Sequence, residues 1–485
     1  MDLNFLINKA VKLHLRGKLD KAKEIYEKII KFDQDNLIAN ANLGALLNAK
    51  KNYKKALYFL EKALSIKPNY VEALNNKGNS LRGLEQHESA LKIYDQTLSI
   101  QPNFIDALNN KGNCLKNLNL FDEAIKIYNQ VLLLKPNFAD ALYNQGICFH
   151  STGNFDEAIN NYNKAIEFKP DFIDAHYNLG ILQLIKGNFL DGLKNYEWRK
   201  KRNPFKETLK FFDEKKEWDG NKSLNNKEIF IYKEQGLGDY IHYCRYLPII
   251  YAMGAKIILD VPISIKTLID TMDFNYKIID KPKPNQYDYF CSIISLPFLL
   301  NTDLNNIPKN VPYIFTPENE KKNWLKKLDT KNKYLVGIKW RGSTSYKDDN
   351  NRSIKLEEIK PLLNLPFEFH SLDIELHDED KEIISENPNL IFHGNELLGM
   401  EKTAGLVENL DLVISVDTSI AHIASSIGKP VWLLLSYLHD YRWMLNRDDS
   451  PWYPNLKIIK QTKHNNWSEV IKIVNKKLLN HFNKN

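Results

Sequence analysis

Small, aromatic and apolar residues recur with a period of 34 residues along the first part of the chain. The positions that keep this spacing are Gly44, Gly78, Gly112, Gly146 and Gly180; Ala22, Ala56, Ala90, Ala124 and Ala158; Tyr94, Tyr128, Tyr162 and Tyr196; and Pro68, Pro102, Pro136 and Pro170. Each period contains two amphipathic stretches separated by a turn, which predicts a pair of helices. Glycine and alanine are expected where the paired helices approach closely, and proline is expected to end the second helix.

The 34-residue period resembles that of tetratricopeptide repeats. Residues 1–202 are therefore predicted to form an α-solenoid of about six repeats, with five full units and a sixth that decays after Glu197. Such arrays present a groove, and asparagine at the positions that face it can donate to and accept from a peptide backbone. Asn76, Asn110 and Asn144 are predicted to bind an extended segment of a protein partner. The alternative is that these asparagines only reflect a chain that is rich in asparagine throughout.

Beyond a predicted connector at 203–226, short apolar runs alternate with helical patterns. Strands are predicted at 228–232, 256–261, 276–279 and 287–292, and then at 334–340, 367–372, 390–393, 411–416 and 431–435. Strands separated by helices form parallel sheets with right-handed crossovers. The pattern predicts twin Rossmann-like domains facing a cleft, at 227–320 and 321–485, with a final helix at 467–482 that packs back over their junction. The predicted fold class is α + α/β.

Composition and charge limit the classes of function. The chain has 485 residues, of which 43% are hydrophobic and 26% are charged, as in ordinary globular proteins. Residues 1–202 contain 29 Lys and Arg against 22 Asp and Glu, so they carry the whole formal excess of +7. No arginine-rich or basic aromatic motif accompanies this excess, and nucleic-acid binding is therefore not predicted.

The cysteines and the apolar runs bear on the compartment. The four cysteines form no CxxC pair, and Cys114 and Cys148 lie one period apart, which favours buried packing over a zinc or redox site. No apolar run is long enough to cross a bilayer, and the first residues do not resemble a signal peptide. We therefore predict a cytoplasmic protein without a transmembrane segment.

The first candidate motif, at 234–239, follows the first predicted strand of the second part and contains Gly236, Gly238 and Asp239. The third glycine of a dinucleotide fingerprint would fall at Ile241, so the fingerprint fails and a Rossmann oxidoreductase is disfavoured. The glycines are better explained by close approach of the backbone to a ligand or to the facing domain. Asp239 lies where open α/β sheets build their sites and is predicted either to act as a base on an acceptor hydroxyl or to cap the helix.

His242 and Arg245 lie on the turns after Asp239 and are predicted to face the same cleft, on the acceptor side.

The second candidate motif is the turn Asp417-Thr418-Ser419, where a strand ends and a helix begins, with His422 on the first helical turn. Free backbone N–H groups and the helix dipole make such a turn an anion site. The hydroxyls of Thr418 and Ser419 and the imidazole of His422 can add donors to a diphosphate. The alternative is an ordinary capped helix with a satisfied histidine.

The third candidate motif is basic. Lys339 ends a predicted strand, and a polar loop leads from it to Arg352. Cations opposite the anion site suit a nucleotide-diphosphate leaving group, and the alternative is a solvated loop. The acidic run 378–380 matches a metal-binding DxD pattern by letter, but it lies at a predicted helix start, where acidic residues are favoured without a metal. No metal site is predicted.

The segments EQGLGD…RYLP and VDTSIAHIASSIGKPVW resemble those of bacterial tetratricopeptide-repeat glycosyltransferases, which are related to the heptosyltransferase family (glycosyltransferase family nine) and more distantly to repeat-bearing O-GlcNAc transferases. The resemblance covers essentially the whole chain. It implies a GT-B fold, metal-independent transfer with inversion, and a nucleotide-sugar donor held by the carboxyl-terminal Rossmann-like domain. It also implies that Asp239 is the base, that Arg352 lies near the donor phosphates, and that the 417–419 turn and His422 lie at the diphosphate. Ser419 stands where heptosyltransferases usually have glycine.

The sequence therefore predicts a glycosyltransferase that uses a nucleotide-sugar co-substrate and no cofactor. A protein or glycan hydroxyl, deprotonated by Asp239, attacks the anomeric carbon, and Ser419, His422 and Arg352 stabilise the departing diphosphate. The alternative is a scaffold protein whose repeats recruit a partner and whose transferase-like half is inactive.

Overall fold

The computed structural model describes residues 2–279, 283–328, 333–343 and 349–482. The chain divides into two compact units, Met1–Ala175 and His176–Asn485. Residues 344–348 of the polar loop predicted between Lys339 and Arg352 lie outside the described residues.

The first unit is a series of antiparallel helix pairs. Its helices are α1 (Leu3–Leu15), α2 (Leu19–Phe32), α3 (Leu37–Ala49), α4 (Tyr53–Ile66), α5 (Val71–Gly83), α6 (His87–Ile100), α7 (Ile105–Asn117), α8 (Phe121–Leu134), α9 (Ala139–Ser151) and α10 (Phe155–Phe168). Consecutive helices contact each other, and α3, α5 and α7 also contact the next odd-numbered helix. The odd-numbered helices therefore form one layer of the array.

The residues that set the 34-residue period have the predicted packing roles. A Cβ placed on Gly112 would lie 2.7 Å from Cε1 of Tyr128, because α7 and α8 approach closely at that point. Tyr128, Cys114 and Cys148 are fully buried. Each proline of the period stands two residues beyond the end of an even-numbered helix, where the missing N–H is tolerated.

The second unit begins within α11 (Ile173–Ile185) and contains two parallel sheets. Its further helices are α12 (Phe189–Tyr196), α13 (Phe205–Leu209), α14 (Leu237–Tyr243), α15 (Leu247–Ala252), α16 (Lys266–Ile269), α17 (Leu296–Leu299), α18 (Glu318–Leu325), α19 (Asp349–Arg352), α20 (Leu356–Leu363), α21 (Asp378–Glu386), α22 (Met400–Glu408), α23 (Ser419–Ser426) and α24 (Trp467–Phe482). Its strands are β1 (Glu228–Tyr232), β2 (Lys256–Leu259), β3 (Tyr276–Ile278), β4 (Tyr289–Ser292), β5 (Leu335–Lys339), β6 (Glu368–Ser371), β7 (Leu390–Phe392), β8 (Leu412–Val416), β9 (Val431–Leu435) and β10 (Leu456–Lys460).

Strand order places a topological switch point in each sheet. The first sheet has the order β3-β2-β1-β4, and the second has the order β10-β9-β8-β5-β6-β7. All pairs are parallel. The order reverses between β1 and β4 in the first sheet and between β5 and β8 in the second, and open α/β sheets bind ligands at the carboxyl ends of the strands at such points. The motif at 234–239 follows β1, Lys339 ends β5, and the 417–419 turn follows β8.

The nine strands predicted from the sequence are confirmed to within two residues at each end, and β10 was missed. The prediction that the last helix packs back over the junction is corrected. The apolar side chains of α24, at Trp467, Val470, Ile471, Val474 and Leu478, lie in the core of the six-stranded sheet. There α24 contacts α20 and β10, because these side chains recur every three or four residues and form one stripe.

A buried ion-pair network joins the segment after α12 to the end of β1. Arg199 is fully buried. It donates from Nε and Nη2 to the two carboxylate oxygens of Glu234, at 2.8 and 3.1 Å, and from Nη1 to Glu197, at 2.5 Å. Its Nη2 also donates to Ser295, at 2.7 Å. Burial by itself would raise the pKa of Glu197, but the charges of Arg199 and Lys200 lower that pKa to about 2. Glu234 therefore stabilises the fold next to the β1–β4 switch point, where it binds Arg199.

Replacing Arg199 with methionine is expected to lower the free energy of unfolding by about 3–5 kcal/mol, because the carboxylate of Glu234 would remain buried without its cation. Denaturation in urea, followed by tryptophan fluorescence, measures this loss. The double variant Arg199→Met/Glu234→Leu should recover much of it, since far less buried charge is then left unpaired. Lys322→Met, which breaks the exposed pair with Glu318, is the matched control and should change little. A single variant as stable as the wild type would show that the network does not hold this junction.

Candidate functional site

Asp239 lies in the first turn of α14, and both of its carboxylate oxygens have partners. Oδ2 accepts a hydrogen bond from the backbone N–H of Gly236, at 3.0 Å, so the side chain caps the helix from its third position. Oδ1 is paired with Nη2 of Arg442. The capping role expected as one alternative is therefore present, and the carboxylate is held by a guanidinium as well.

The first turn of α14 lies directly against α23. A Cβ placed on Gly238 would lie 3.0 Å from Cδ2 of His422 and 3.6 Å from Cα of Ser419. The predicted close approach is thus found at Gly238, where the facing element is the second candidate motif. At Gly236, a Cβ would meet only Oδ2 of Asp239, at 3.5 Å, so no close approach requires a glycine there.

Arg442, which lies between β9 and β10, is not among the site residues predicted from the sequence. Its Nη1 lies 2.6 Å from Oδ1 of Asp440, so the guanidinium bridges Asp239 and Asp440. Burial, and then the charge of Asp417, raise the pKa of Asp440 to about 7. Burial also raises the pKa of Asp417, against the opposing effects of Trp443 and Arg352. Three carboxylates, of Asp239, Asp417 and Asp440, and two guanidiniums, of Arg442 and Arg352, therefore lie near the place where α14 faces α23.

His422 is buried, and it contacts a hydroxyl at Nδ1 and an aromatic ring at one face. Its Nδ1 lies 2.9 Å from the hydroxyl oxygen of Tyr453, and its ring stacks on Trp443, with centroids 5.3 Å apart. Burial lowers the pKa of His422 to about 3, with a smaller effect from the charge of Arg245. At neutral pH the imidazole is therefore uncharged, and it can donate a hydrogen bond only from the one nitrogen that carries a proton.

The 417–419 turn forms the start of α23. Thr418 is the N-cap residue in an extended conformation, and its hydroxyl lies 3.3 Å from that of Ser415. The first N–H groups of a helix lack acceptors within it, so they are available to an anion. Nη1 of Arg352 donates to the carbonyl oxygen of Asp417, at 2.9 Å, and Nε donates to Asp349, at 2.9 Å. The structure thus brings Arg352 and the turn together.

Gly342 explains how Arg352 approaches the end of β5. A Cβ on Gly342 would overlap both Asp349 and Arg352, so only glycine leaves room for this ion pair. Lys339, in contrast, is paired with Asp373, which follows the end of β6. Its charge is therefore compensated within the protein.

The acidic run at 378–380 begins α21, as predicted. Arg341 pairs with Glu379 and Asp380, at 2.5 and 3.1 Å, and Lys381 pairs with Asp378. Across the described residues, no group of three or more His, Cys, Asp or Glu side chains could hold a metal ion.

The prediction that His242 and Arg245 face the cleft is corrected. Both side chains are buried, with exposed fractions of 0% and 4%. Arg245 donates to the carbonyl oxygen of Trp452, at 2.6 Å, and to the hydroxyl of Tyr313, at 3.0 Å. His242 lies within α14 and Arg245 just after it, and the contacts of Arg245 hold this helix to the loops around it.

The site residues that were not predicted from the sequence lie in one segment of the chain. Asp440, Arg442, Trp443 and Tyr453 all lie in the segment that follows the carboxyl end of β9. A signal was available, because charged residues among aromatic ones after a buried strand mark a loop at the ligand-binding edge of a parallel sheet.

Two of the three predicted groove asparagines, Asn110 and Asn144, form side-chain hydrogen bonds within the array. Nδ2 of Asn110 donates to Oδ1 of Asn75, at 3.2 Å. Asn144 accepts from Nζ of Lys116, at 2.7 Å, and donates to the carbonyl oxygen of Asp140, at 2.8 Å. Within the described ranges, no hydrogen bond of the Asn76 side chain is found. Of the three predicted groove residues, Asn76 is therefore the one whose side-chain amide forms no hydrogen bond among the described residues.

Two cations lie at equivalent positions of successive repeats. Arg82 and Lys116 are in the last turns of α5 and α7, 34 residues apart, and both are half-buried. Burial, and more weakly the charge of Arg82, lower the pKa of Lys116. In the part of the chain that the structure describes, neither cation pairs with a carboxylate.

No helix of the described residues is both long enough and apolar enough to span a bilayer.

Similar solved structures include YrrB, a TPR protein with an unusual peptide-binding site. It is 29% identical, with 36% of this chain and 89% of YrrB covered and a TM-score of 0.31. TTC0263, a thermophilic TPR protein of Thermus thermophilus, is 20% identical over 38% of this chain and 99% of its own, with a TM-score of 0.33. PilF of Pseudomonas aeruginosa is 18% identical over 43% of this chain and 96% of its own, with a TM-score of 0.38.

No curated protein matches the chain. Tetratricopeptide repeat families match residues 35–103 and 105–138, and a TPR repeat family matches residues 148–187. The amino-terminal helical array consists of tetratricopeptide repeats.

Proposed function

We propose that the second unit is a GT-B glycosyltransferase that moves a sugar, with inversion and without a metal ion, from a nucleotide sugar to a protein or glycan hydroxyl. One observation carries the proposal. Candidate motifs occupy the switch points of both parallel sheets, and the first turn of α14 after β1 lies against the start of α23 after β8. This contact supports the proposal, because a displacement with a diphosphate leaving group needs an acid–base group next to an anion site.

The donor diphosphate is assigned to the start of α23. The first amides of this helix and the hydroxyls of Thr418 and Ser419 supply neutral donors, and Arg352 supplies charge beside Asp417. His422 adds a neutral N–H donor, because burial keeps its imidazole uncharged. Groups fixed in this way stabilise a departing diphosphate without having to reorganise during the reaction.

Asp239 is assigned the role of base on the acceptor hydroxyl. The N–H of Gly236 and the guanidinium of Arg442 engage both of its carboxylate oxygens. We infer that Arg442 turns from Asp239 to the donor phosphates when the nucleotide sugar binds, since phosphate offers the guanidinium a bidentate partner. The carboxylate would then be released next to the acceptor.

A second candidate function is a scaffold whose transferase-like unit is inactive. The engagement of both Asp239 oxygens favours it, because a permanently paired carboxylate accepts no proton. In that case the repeats would carry the function through partner binding.

Under either function, the tetratricopeptide array is proposed to bind a protein partner. The side chains of Asn110 and Asn144 already form hydrogen bonds within the array, so they offer little to a partner. We therefore assign partner binding to the positive charges of Arg82 and Lys116. The acidic residues of the same helices, Glu72 and Asp106, lie in the first turn, about 15 Å away along the axis. An extended acidic segment therefore fits this row of cations.

Nucleoside diphosphates and nucleotide sugars are expected to stabilise the full-length protein against heat, whereas NAD should not. A ligand that binds only the native state adds about 2.7 kcal/mol at a hundredfold excess over its Kd. Arg352→Gln should weaken this stabilisation, and Lys327→Gln, which alters an exposed pair with Glu396, is the control. Asp239→Asn should keep the stabilisation but lower transfer or donor hydrolysis by about 10²-fold or more. Full turnover in Asp239→Asn would remove the base assignment, and stabilisation without any turnover in the wild type would favour the scaffold.

A fluorescent octamer of glutamate is expected to bind the full-length protein more tightly than a glutamine octamer, with an affinity that falls as salt rises. Lys116→Gln should weaken binding about tenfold, as expected for the loss of one charge-assisted hydrogen bond. Lys111→Gln is the matched control, because Lys111 is already paired with Asp95, at 2.6 Å. Fluorescence anisotropy measures all three affinities. Equal binding of both octamers would rule out the acidic partner.

A further inference from the structure

The hydroxyl of Tyr453 lies at the centre of a buried polar cluster. Tyr453 is fully buried. Its oxygen lies 2.9 Å from Nδ1 of His422, 3.2 Å from the hydroxyl oxygen of Tyr313 and 3.3 Å from Nδ1 of His242. A phenol has a single proton, so only one of these three atoms can receive it. Which atom receives it decides where His422 carries its own proton.

Tyr313 is the weakest of the three acceptors. It donates its own proton to the carbonyl oxygen of Ile241, at 2.9 Å, and its oxygen accepts from Nη2 of Arg245, at 3.0 Å. A phenol oxygen that already accepts from a guanidinium is a much poorer acceptor than a neutral imidazole nitrogen. The proton of Tyr453 therefore goes to one of the two histidines.

His242 is a poorer acceptor than His422, since its Nδ1 lies 3.3 Å from the hydroxyl oxygen of Tyr453, whereas Nδ1 of His422 lies 2.9 Å from it. Nε2 of His242 is buried and, among the described residues, has no hydrogen-bond partner. A proton on that nitrogen would leave a buried N–H unpaired, at a cost of about 1–3 kcal/mol. With the proton on Nδ1 instead, His242 donates to Tyr453 at 3.3 Å. The hydroxyl of Tyr453 then accepts from His242 and donates to His422.

We propose that Tyr453 is a positioning residue that fixes His422 as the tautomer with its proton on Nε2, so that this N–H serves as a donor to the diphosphate. The ring edge formed by Cδ2 and Nε2 faces the first turn of α14, since a Cβ on Gly238 would lie 3.0 and 3.6 Å from these atoms. Stacking on Trp443 fixes the plane of the ring. The assignment of a diphosphate ligand depends on the proposed function. The assignment of the His422 tautomer depends only on the hydrogen bonds of this cluster.

Burial agrees with this arrangement. It lowers the pKa of His422 to about 3 and the pKa of His242 well below its ordinary value. Both imidazoles are therefore neutral at pH 7, and each has one donor and one acceptor nitrogen. In the assigned series of hydrogen bonds, Nδ1 of His242 donates to Tyr453, and the hydroxyl of Tyr453 donates to Nδ1 of His422. Only the two Nε2 atoms take no part in it.

The tautomer is testable by ¹⁵N NMR on the full-length protein labelled at histidine, with the His422 signals assigned from a His422→Gln variant. We expect His422 to carry its proton on Nε2 in the wild type. In Tyr453→Phe, the proton should move partly or wholly to Nδ1, because that nitrogen loses its donor. Tyr313→Phe removes a neighbouring hydroxyl that makes no hydrogen bond to His422, and it should leave the tautomer unchanged. A wild-type proton on Nδ1, or an unchanged tautomer in Tyr453→Phe, would overturn the proposal.

Kinetics give a second readout once a donor is known. Tyr453→Phe should lower kcat about 10- to 100-fold, with a smaller change in the KM for the donor, because the misplaced N–H no longer meets the leaving group. Tyr313→Phe, with its melting temperature measured alongside, should keep most of kcat. Equal losses in both variants would assign Tyr453 a structural role only. A wild-type protein without transfer activity would defeat the proposed function, and the NMR result would still decide the tautomer. If Tyr453→Phe does not fold, the wild-type spectrum alone decides it.

Discussion

The close packing of α14 against α23 is the constraint on which the candidate site depends. The first turn of α14 can approach His422 and Ser419 only because Gly238 has no side chain, and a Cβ there would press on the imidazole ring. This contact joins the switch points of two separate sheets. It places Asp239 and His422 in one neighbourhood, although 183 residues separate them along the chain. Without it, the two motifs would be ordinary helix starts on unrelated sheets.

Charge compensation governs the rest of the site. Asp239, Asp440 and Asp417 lie around Arg442 and Arg352, and Lys339 is neutralised by Asp373. Half-buried carboxylates that lie close together tend to retain protons, which agrees with the raised pKa values of Asp440 and Asp417. An anionic ligand would bring its own charge into this balance and compete for the guanidinium of Arg442. Ligand binding and the protonation of these carboxylates are therefore coupled.

The buried core beside the site adds rigidity. Arg245, Tyr313 and Tyr453 connect α14 to the loops before β10 through hydrogen bonds that use most of their polar atoms. Arg199 similarly ties the segment after α12 to Glu234. Side chains that resemble ligand contacts in the sequence, such as those of Arg245 and Glu234, thus belong to the framework. Their role is to hold in position the groups that face the candidate site, which a functional site requires.

The periodic and local features of this protein can be predicted from its amino-acid order alone. The 34-residue repeats, nine of the ten strands and the closing helix follow from hydrophobic period and from glycine and proline positions, because these depend on neighbours within a few turns. The motifs at 234–239 and 417–422 were also visible, since strand ends carry sites in parallel sheets. β10 was missed because a short run after an aromatic loop gives little periodic signal.

The contacts between distant side chains, in contrast, depend on how the elements pack in three dimensions. Arg442, Asp440 and Tyr453 join Asp239 and His422 through contacts that span about 30 to 200 positions of the sequence. The tertiary structure also turned His242 and Arg245 inward and paired Asn110 with Asn75. The partner of a charged or amide side chain is set by which elements pack together. No pattern of nearby residues encodes that choice.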